Sequence, residues 1–168
     1  GLLLSALADP NPVLFFEHKA LYRSLNEEIP DAYYTCPIGE AKLTQEGSDV
    51  SIITYGMGVQ WAGEFLAAHP EINADVLDLR SLLPWDQEAV ATTVQKTGRV
   101  LILHEDCQTG GIGGEIAAWI SESCFQHLDA PVSRLGSLDT AVPFSSNLED
   151  NFLPKGRLEG KLNELLAF

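Results

Sequence analysis

The sequence predicts a three-layer, doubly wound α/β domain with a mostly parallel sheet over residues 38–168, and two observations carry the prediction. First, β-rich runs alternate with stretches whose apolar residues fall at helical spacing, from Val50 to Leu135. Second, the crossovers are about 20 residues long, which suits a helix returning to a parallel neighbour and not a hairpin. Right-handed connections then place helices on both faces.

The elements follow in order. Residues 1–9 are apolar and helical, and Asp9-Pro10-Asn11-Pro12 stops them. Val13-Leu14-Phe15-Phe16-Glu17 has the length and composition of a short strand. From His18 to Pro37 the chain is mixed, with Pro30, Pro37 and acidic stretches, and reads as a connector. The division is therefore 1–17, 18–37 and 38–168. Val50–Tyr55 is the first strand of the regular part, ending in Gly56-Met57-Gly58. Val59, Ala62, Phe65 and Leu66 then keep helical spacing until His69-Pro70. Asp75–Leu79 is the next strand. Asp86 is the expected N-cap of a helix lined by Ala89, Val90, Thr93, Val94 and Thr97, and Gly98 its stop. Arg99–Leu103 is a third strand, and the turn Thr109-Gly110-Gly111-Ile112-Gly113-Gly114 opens a helix lined by Ile112, Ile116, Trp119, Ile120 and Cys124. Val132–Leu135 is the fourth strand. A long loop follows, then a last helix marked by Leu158, Leu162, Leu165 and Leu166.

Ten basic residues against twenty-four acidic ones leave a formal net charge of −14. Phosphate backbones are bound by Lys and Arg, so nucleic acid is excluded as a partner, and an anionic membrane surface with it. Such a surface favours solubility and steers basic proteins into contact. No apolar run approaches the roughly 20 residues of a membrane span. Cys36, Cys107 and Cys124 are odd in number and widely spaced, which fits free thiols in a reducing compartment. The opening Gly1, the uncapped helical run behind it and a single internal Met57 read as a segment cut from a longer chain.

Three constellations invite a chemical reading. His104 and Cys107 stand near a strand end, as a base and a nucleophile would. Strand alternation turns His104 and Glu105 to opposite faces, however, and His104 is expected to hydrogen-bond at the domain surface. His18, His69, His104, His127 and the cysteines lack metal-ligand spacing, so no metal site is expected. The turn Gly110–Gly114 sits where a phosphate loop would be, yet it misses both glycine fingerprints. Its first helical turn also carries Glu115, which repels phosphate. Close helix–strand packing, or the close approach of another chain, is the expected use of these glycines. No residue is assigned to catalysis, cofactor or metal.

A resemblance then enters. Val13–Arg23, Glu46–Val50, Asp78–Asp86, Lys96–Arg99 with His104-Glu105, Thr109–Gly111 and Leu128–Arg134 resemble the β subunits of 2-oxo acid dehydrogenase E1 components, in order along the chain. The stretch around Phe15-Phe16-Glu17 and Leu21-Tyr22-Arg23 is more similar to the branched-chain (2-oxoisovalerate) type than to the pyruvate or acetoin type. His18 departs from it, since that type usually has Pro there. The resemblance implies that residues 1–17 end a thiamine-diphosphate domain and that 38–168 form a transketolase C-terminal-like domain. The full enzyme would use thiamine diphosphate and Mg²⁺, which this fragment does not bind, and the fragment alone would be inactive. Its implied partners are the E1 α part, a second E1 β part and the subunit-binding domain of the E2 acyltransferase. Asp129, Phe168 and Asp139 are the implied E2 contacts. A bacterial cytoplasm, or a mitochondrial matrix, is the implied location. The reading from a different class is a free-standing flavodoxin-like domain with a small ligand near Gly56 and Gly111.

Overall fold

The computed structural model describes residues 1–168. Helix α1 (Leu2–Ala8) ends at Asp9, whose side chain turns to accept the Asn11 backbone N–H at 2.8 Å. The strand expected over Val13–Glu17 does not form: the run lies without regular structure, and Leu14 and Phe16 are 84% and 87% exposed. A strand exists through its ladder to a neighbouring edge, and no strand of the sheet pairs with this run. The connector holds one short helix, α2 (Leu21–Ser24).

The sheet begins with a strand that the sequence did not announce. Strand β1 (Lys42–Gln45) is exposed at every position and pairs antiparallel with β3 (Ala74–Asp78). Three of its four side chains are polar, which suits an unprotected sheet edge and leaves no apolar pattern to read. Strand β2 (Val50–Thr54) is buried at all five positions and runs parallel between β3 and β4 (Val100–Cys107). Strand β5 (Ser133–Ser137) is parallel to β4 and closes the other edge, so the order is β1-β3-β2-β4-β5.

Alternation along the strands sorts the core into two halves. Val50, Ile52, Leu101 and Leu103 face helices α3 (Met57–Ala68) and α7 (Leu158–Leu166). Ile53, Leu77, Val100 and Ile102 face α4 (Gln87–Thr97) and α5 (Gly113–Ser123). The three expected layers are thus present, with a mostly parallel sheet between two helical layers. The long loop expected after β5 is partly helical: α6 (Ser146–Phe152) buries Phe152, and a 3₁₀ turn at Lys155–Arg157 leads into α7. Its seven residues carry a single buried anchor, too little periodicity to be seen in advance.

The α4 boundaries fall where the sequence put them. One Asp86 carboxylate oxygen accepts the Ala89 N–H at 2.9 Å, and the other accepts the Ala41 N–H at 2.9 Å. Gly98 adopts φ 67° and ends the helix. Beneath α4 lies a buried polar cluster. Asp75, 1% exposed, accepts from Gly47 N–H at 2.8 Å, Thr93 Oγ1 at 2.6 Å and Lys96 Nζ at 2.6 Å.

Candidate functional site

Strand β2 has its successor β3 on one side and β4 on the other, so the carboxy ends of β2 and β4 form a topological switch point. Open α/β sheets take ligands in such crevices. Tyr55, which follows β2, and His104, Glu105 and Asp106 of β4 gather here.

His104 corrects an expectation. It is fully buried, not at a surface, and neither ring nitrogen has a hydrogen-bond partner. Strand β4 continues to Cys107, four residues past Leu103, and its register with β5 shifts between those two residues, so His104 lies in an irregular stretch of the strand. Backbone encloses the ring: a β-carbon at Gly113 would stand 2.5 Å from Nε2, and one at Gly111 or Gly136 would stand 2.8 Å or 2.7 Å from Cε1. The glycine-rich turn therefore packs α5 against the imidazole and leaves no cradle for a phosphate. Burial holds the His104 pKa below its ordinary 6.5, more strongly than the opposing influence of Asp106, so the ring is neutral.

Glu105 faces the other way and meets His18 Nε2 at 2.7 Å. Burial first, then the charges of Asp106 and Glu105, push the Tyr55 pKa up to about 12. Cys107 is half-buried and makes no hydrogen bond with the His104 ring, so the imagined nucleophile and base do not meet. No group of three or more His, Cys, Asp and Glu side chains converges on a metal position. No helix is long and apolar enough to cross a membrane.

The loop beyond β4 is pinned to β5. Gln108 Oε1 accepts the Gly136 N–H at 2.7 Å, and Arg134 Nη1 donates to the Gln108 carbonyl at 3.1 Å. Asp139 accepts the Thr109 N–H at 2.8 Å and its hydroxyl at 2.7 Å. Those two bonds hold the exposed Asp139 carboxyl below the usual carboxylate range.

A groove of about 780 Å³ runs between α5 and the approach to β5. Ala117 and Ser121 of α5 line it together with Phe125, Asp129, Arg134 and Phe168. Phe125 and Phe168 are 75% and 68% exposed, and the Asp129 N–H donates to the Gly98 carbonyl at 2.8 Å. Asp129 and Phe168, far apart in sequence, thus line one surface, whereas Asp139 lies outside it on the Thr109 loop. Phe125 and Arg134 were not singled out in the sequence. An exposed aromatic after a helix carries no periodic signal that would have marked it.

Residues 39–157 match the family model of the transketolase C-terminal domain. The chain belongs to that family. Among curated proteins it is similar to the 2-oxoisovalerate dehydrogenase subunit beta 2, mitochondrial, of Arabidopsis thaliana, 47% identical over 92% of this chain and 43% of the relative. It is also similar to the acetoin:2,6-dichlorophenolindophenol oxidoreductase subunit beta of Bacillus subtilis (strain 168), 44% identical over 92% of this chain and 45% of the relative. Among solved structures it is similar to a split-gene transketolase, an inactive beta4 tetramer, with TM-score 0.66 and 26% identity over 83% of this chain and 46% of that one. The chain spans less than half the length of each.

Proposed function

We propose that this chain is the carboxy-terminal domain of the β part of a thiamine-diphosphate-dependent 2-oxo acid dehydrogenase E1 component, of the branched-chain (3-methyl-2-oxobutanoate) type, and that it serves assembly and E2 docking. The observation that carries the reading is the 47% identity to a 2-oxoisovalerate dehydrogenase β subunit, sustained over 92% of the chain. The acetoin relative supports the same class of subunit at 44%. The choice of a branched substrate rests on the Phe15-Phe16-Glu17 and Leu21-Tyr22-Arg23 stretch.

In the whole enzyme the 2-oxo acid would be decarboxylated and its acyl group passed to the E2 lipoyl group. Thiamine diphosphate with Mg²⁺ supplies that chemistry when bound. The residues of this chain do not fit the cofactor. Its one glycine-rich turn is packed around His104, Glu115 stands in the first turn of α5, and no set of metal ligands converges. The part played by this domain is placement. Residues 1–17 would end the cofactor-binding domain, 18–37 would connect, and 38–168 would meet the E1 α part and a second E1 β part. A bacterial cytoplasm or a mitochondrial matrix would house such an assembly.

The groove beside Asp129 and Phe168 is the proposed seat of the E2 subunit-binding domain, with Asp139 a peripheral contact. It offers a carboxylate flanked by exposed aromatic rings, and the −14 charge of the chain steers a basic partner toward it. Titrating assembled E1 with an E2 subunit-binding domain tests the reading. Binding weakens as salt rises, and Asp129→Lys weakens it about tenfold. Insensitivity to both removes the docking role. Decarboxylation of a 2-oxo acid by the isolated chain with added thiamine diphosphate and Mg²⁺ would overturn the assignment of chemistry elsewhere.

A further inference from the structure

The first 37 residues are held to the sheet domain in an unusual way. None of them is buried, and neither half of the hydrophobic core includes a residue before Ala41. His18 Nε2 meets the Glu105 carboxylate at 2.7 Å across 87 residues of sequence. Every other hydrogen bond of residues 1–37 stays within that stretch: Ser5 with Gly1 and Cys36, Asn11 with Asp9, Tyr22 with Glu17, Ser24 with Ala20, and the turns of α1 and α2. Hydrogen bonding between the folded domain and the chain before it begins only at Gly39, whose N–H donates to Ser81.

We propose that His18 and Glu105 form a latch, and that breaking this one contact frees the segment around it, with the rest of the domain unchanged. The two side chains are 30% and 40% exposed, so the contact is screened but not fully solvated. On the domain side the latch is firm. Glu105 sits in β4 between Leu103 and Cys107, both of which pair with β5, and its carbonyl accepts the Ser137 hydroxyl. On the arm side it is soft. Val13–Phe16, an exposed apolar run, ends two residues before His18, and α2, a single helical turn, begins three residues after it. The latch therefore decides where that apolar run is presented relative to the carboxy ends of β2 and β4. If the E1 reading holds, the same contact sets the angle at which the upstream domain joins this one; the latch itself does not depend on that reading.

Trypsin reads the latch directly, because Lys19 and Arg23 closely follow His18. When opening is fast relative to cleavage, the cleavage rate follows the open population. In the 168-residue chain, His18→Ala and Glu105→Ala should each speed cleavage after Lys19 and Arg23 about three- to fivefold. The double variant should match either single one, because both remove the same contact. His18→Gln, whose amide can still donate to the carboxylate, should retain most of the protection. Cleavage within residues 50–166 should stay at the wild-type rate in all four, showing that the domain remains folded. Unchanged cleavage in the single variants, or losses that add in the double one, overturns the latch. Neither outcome bears on E2 binding, which is read separately at Asp129.

Discussion

The imidazole of His104 and the backbone of Gly113 occupy adjoining space with no room for a methyl group: a β-carbon on Gly113 would stand 2.5 Å from Nε2. This close approach lets the first turn of α5 lie directly against β4. It also explains why a glycine-rich turn occupies a strand end that holds no phosphate cradle.

Gly113→Ala should therefore destabilise the chain by about 1–3 kcal/mol, the usual cost of overfilling a packed core. Gly160→Ala in α7 is the control. Nothing lies within 4 Å of its added carbon, and the exchange should stabilise by up to about 1 kcal/mol through helix propensity. Urea unfolding of both variants checks the contrast, and combining His104→Ala with Gly113→Ala should remove much of the clash.

Burial also makes His104 a source of pH dependence. Its folded pKa lies below the ordinary 6.5, so the unfolded chain takes up a proton first as pH falls. Stability from this group is complete above about pH 6.5 and declines below it, toward the depressed folded value. Thermal unfolding between pH 7 and pH 5 should show a steeper loss for wild type than for His104→Gln. Equal slopes would mean that the ring is not kept neutral by the fold.

The Lys96 ammonium pairs with Asp75, a carboxylate with only 2% of its side chain exposed, while Lys96 itself is 41% exposed. Removing the cation strands a buried negative charge, although solvent near Lys96 softens the loss. Lys96→Met should cost about 1–3 kcal/mol in chemical denaturation, and adding Asp75→Asn should recover part of it. A double-mutant cycle measures the recovery.

Asp86 ties two elements with its two carboxylate oxygens, capping α4 through Ala89 and holding the approach to β1 through Ala41. Asp86→Ala should cost about 1–2 kcal/mol, and Asp86→Asn less, because the amide keeps one acceptor for the cap. Hydrogen exchange should locate the change in the first turn of α4 and around Ala41. A change confined to one of those places would show that the two bonds are not shared by one side chain.

Some of this was legible in the residues alone. The buried strands β2, β3 and β4 are rich in Val, Ile and Leu, and α3, α4, α5 and α7 repeat apolar residues on one face. Asp86 and Gly98 marked the ends of α4 because caps act through bonds to residues within a turn. Local chemistry of that kind is written in neighbouring positions. The failures have the opposite character. Val13–Glu17 has the composition of a strand but no edge to pair with, and β1 has a polar composition but an edge waiting at β3.

The sequence by itself determined the alternation of strands and helices, the acidic balance and, through its resemblance along the whole chain, the family. Tertiary structure decided what each conspicuous side chain does. His104 became a neutral core residue because Gly111 and Gly113 at the start of α5 and Gly136 in β5 converge on it. Asp129 and Phe168 came to line one groove because α7 returns the chain end to the side of α5. His18 found Glu105 across 87 residues. The physical reason is common to all three: burial, unpaired polar atoms and ion pairs depend on distances across the fold, and adjacent positions in the chain do not encode them.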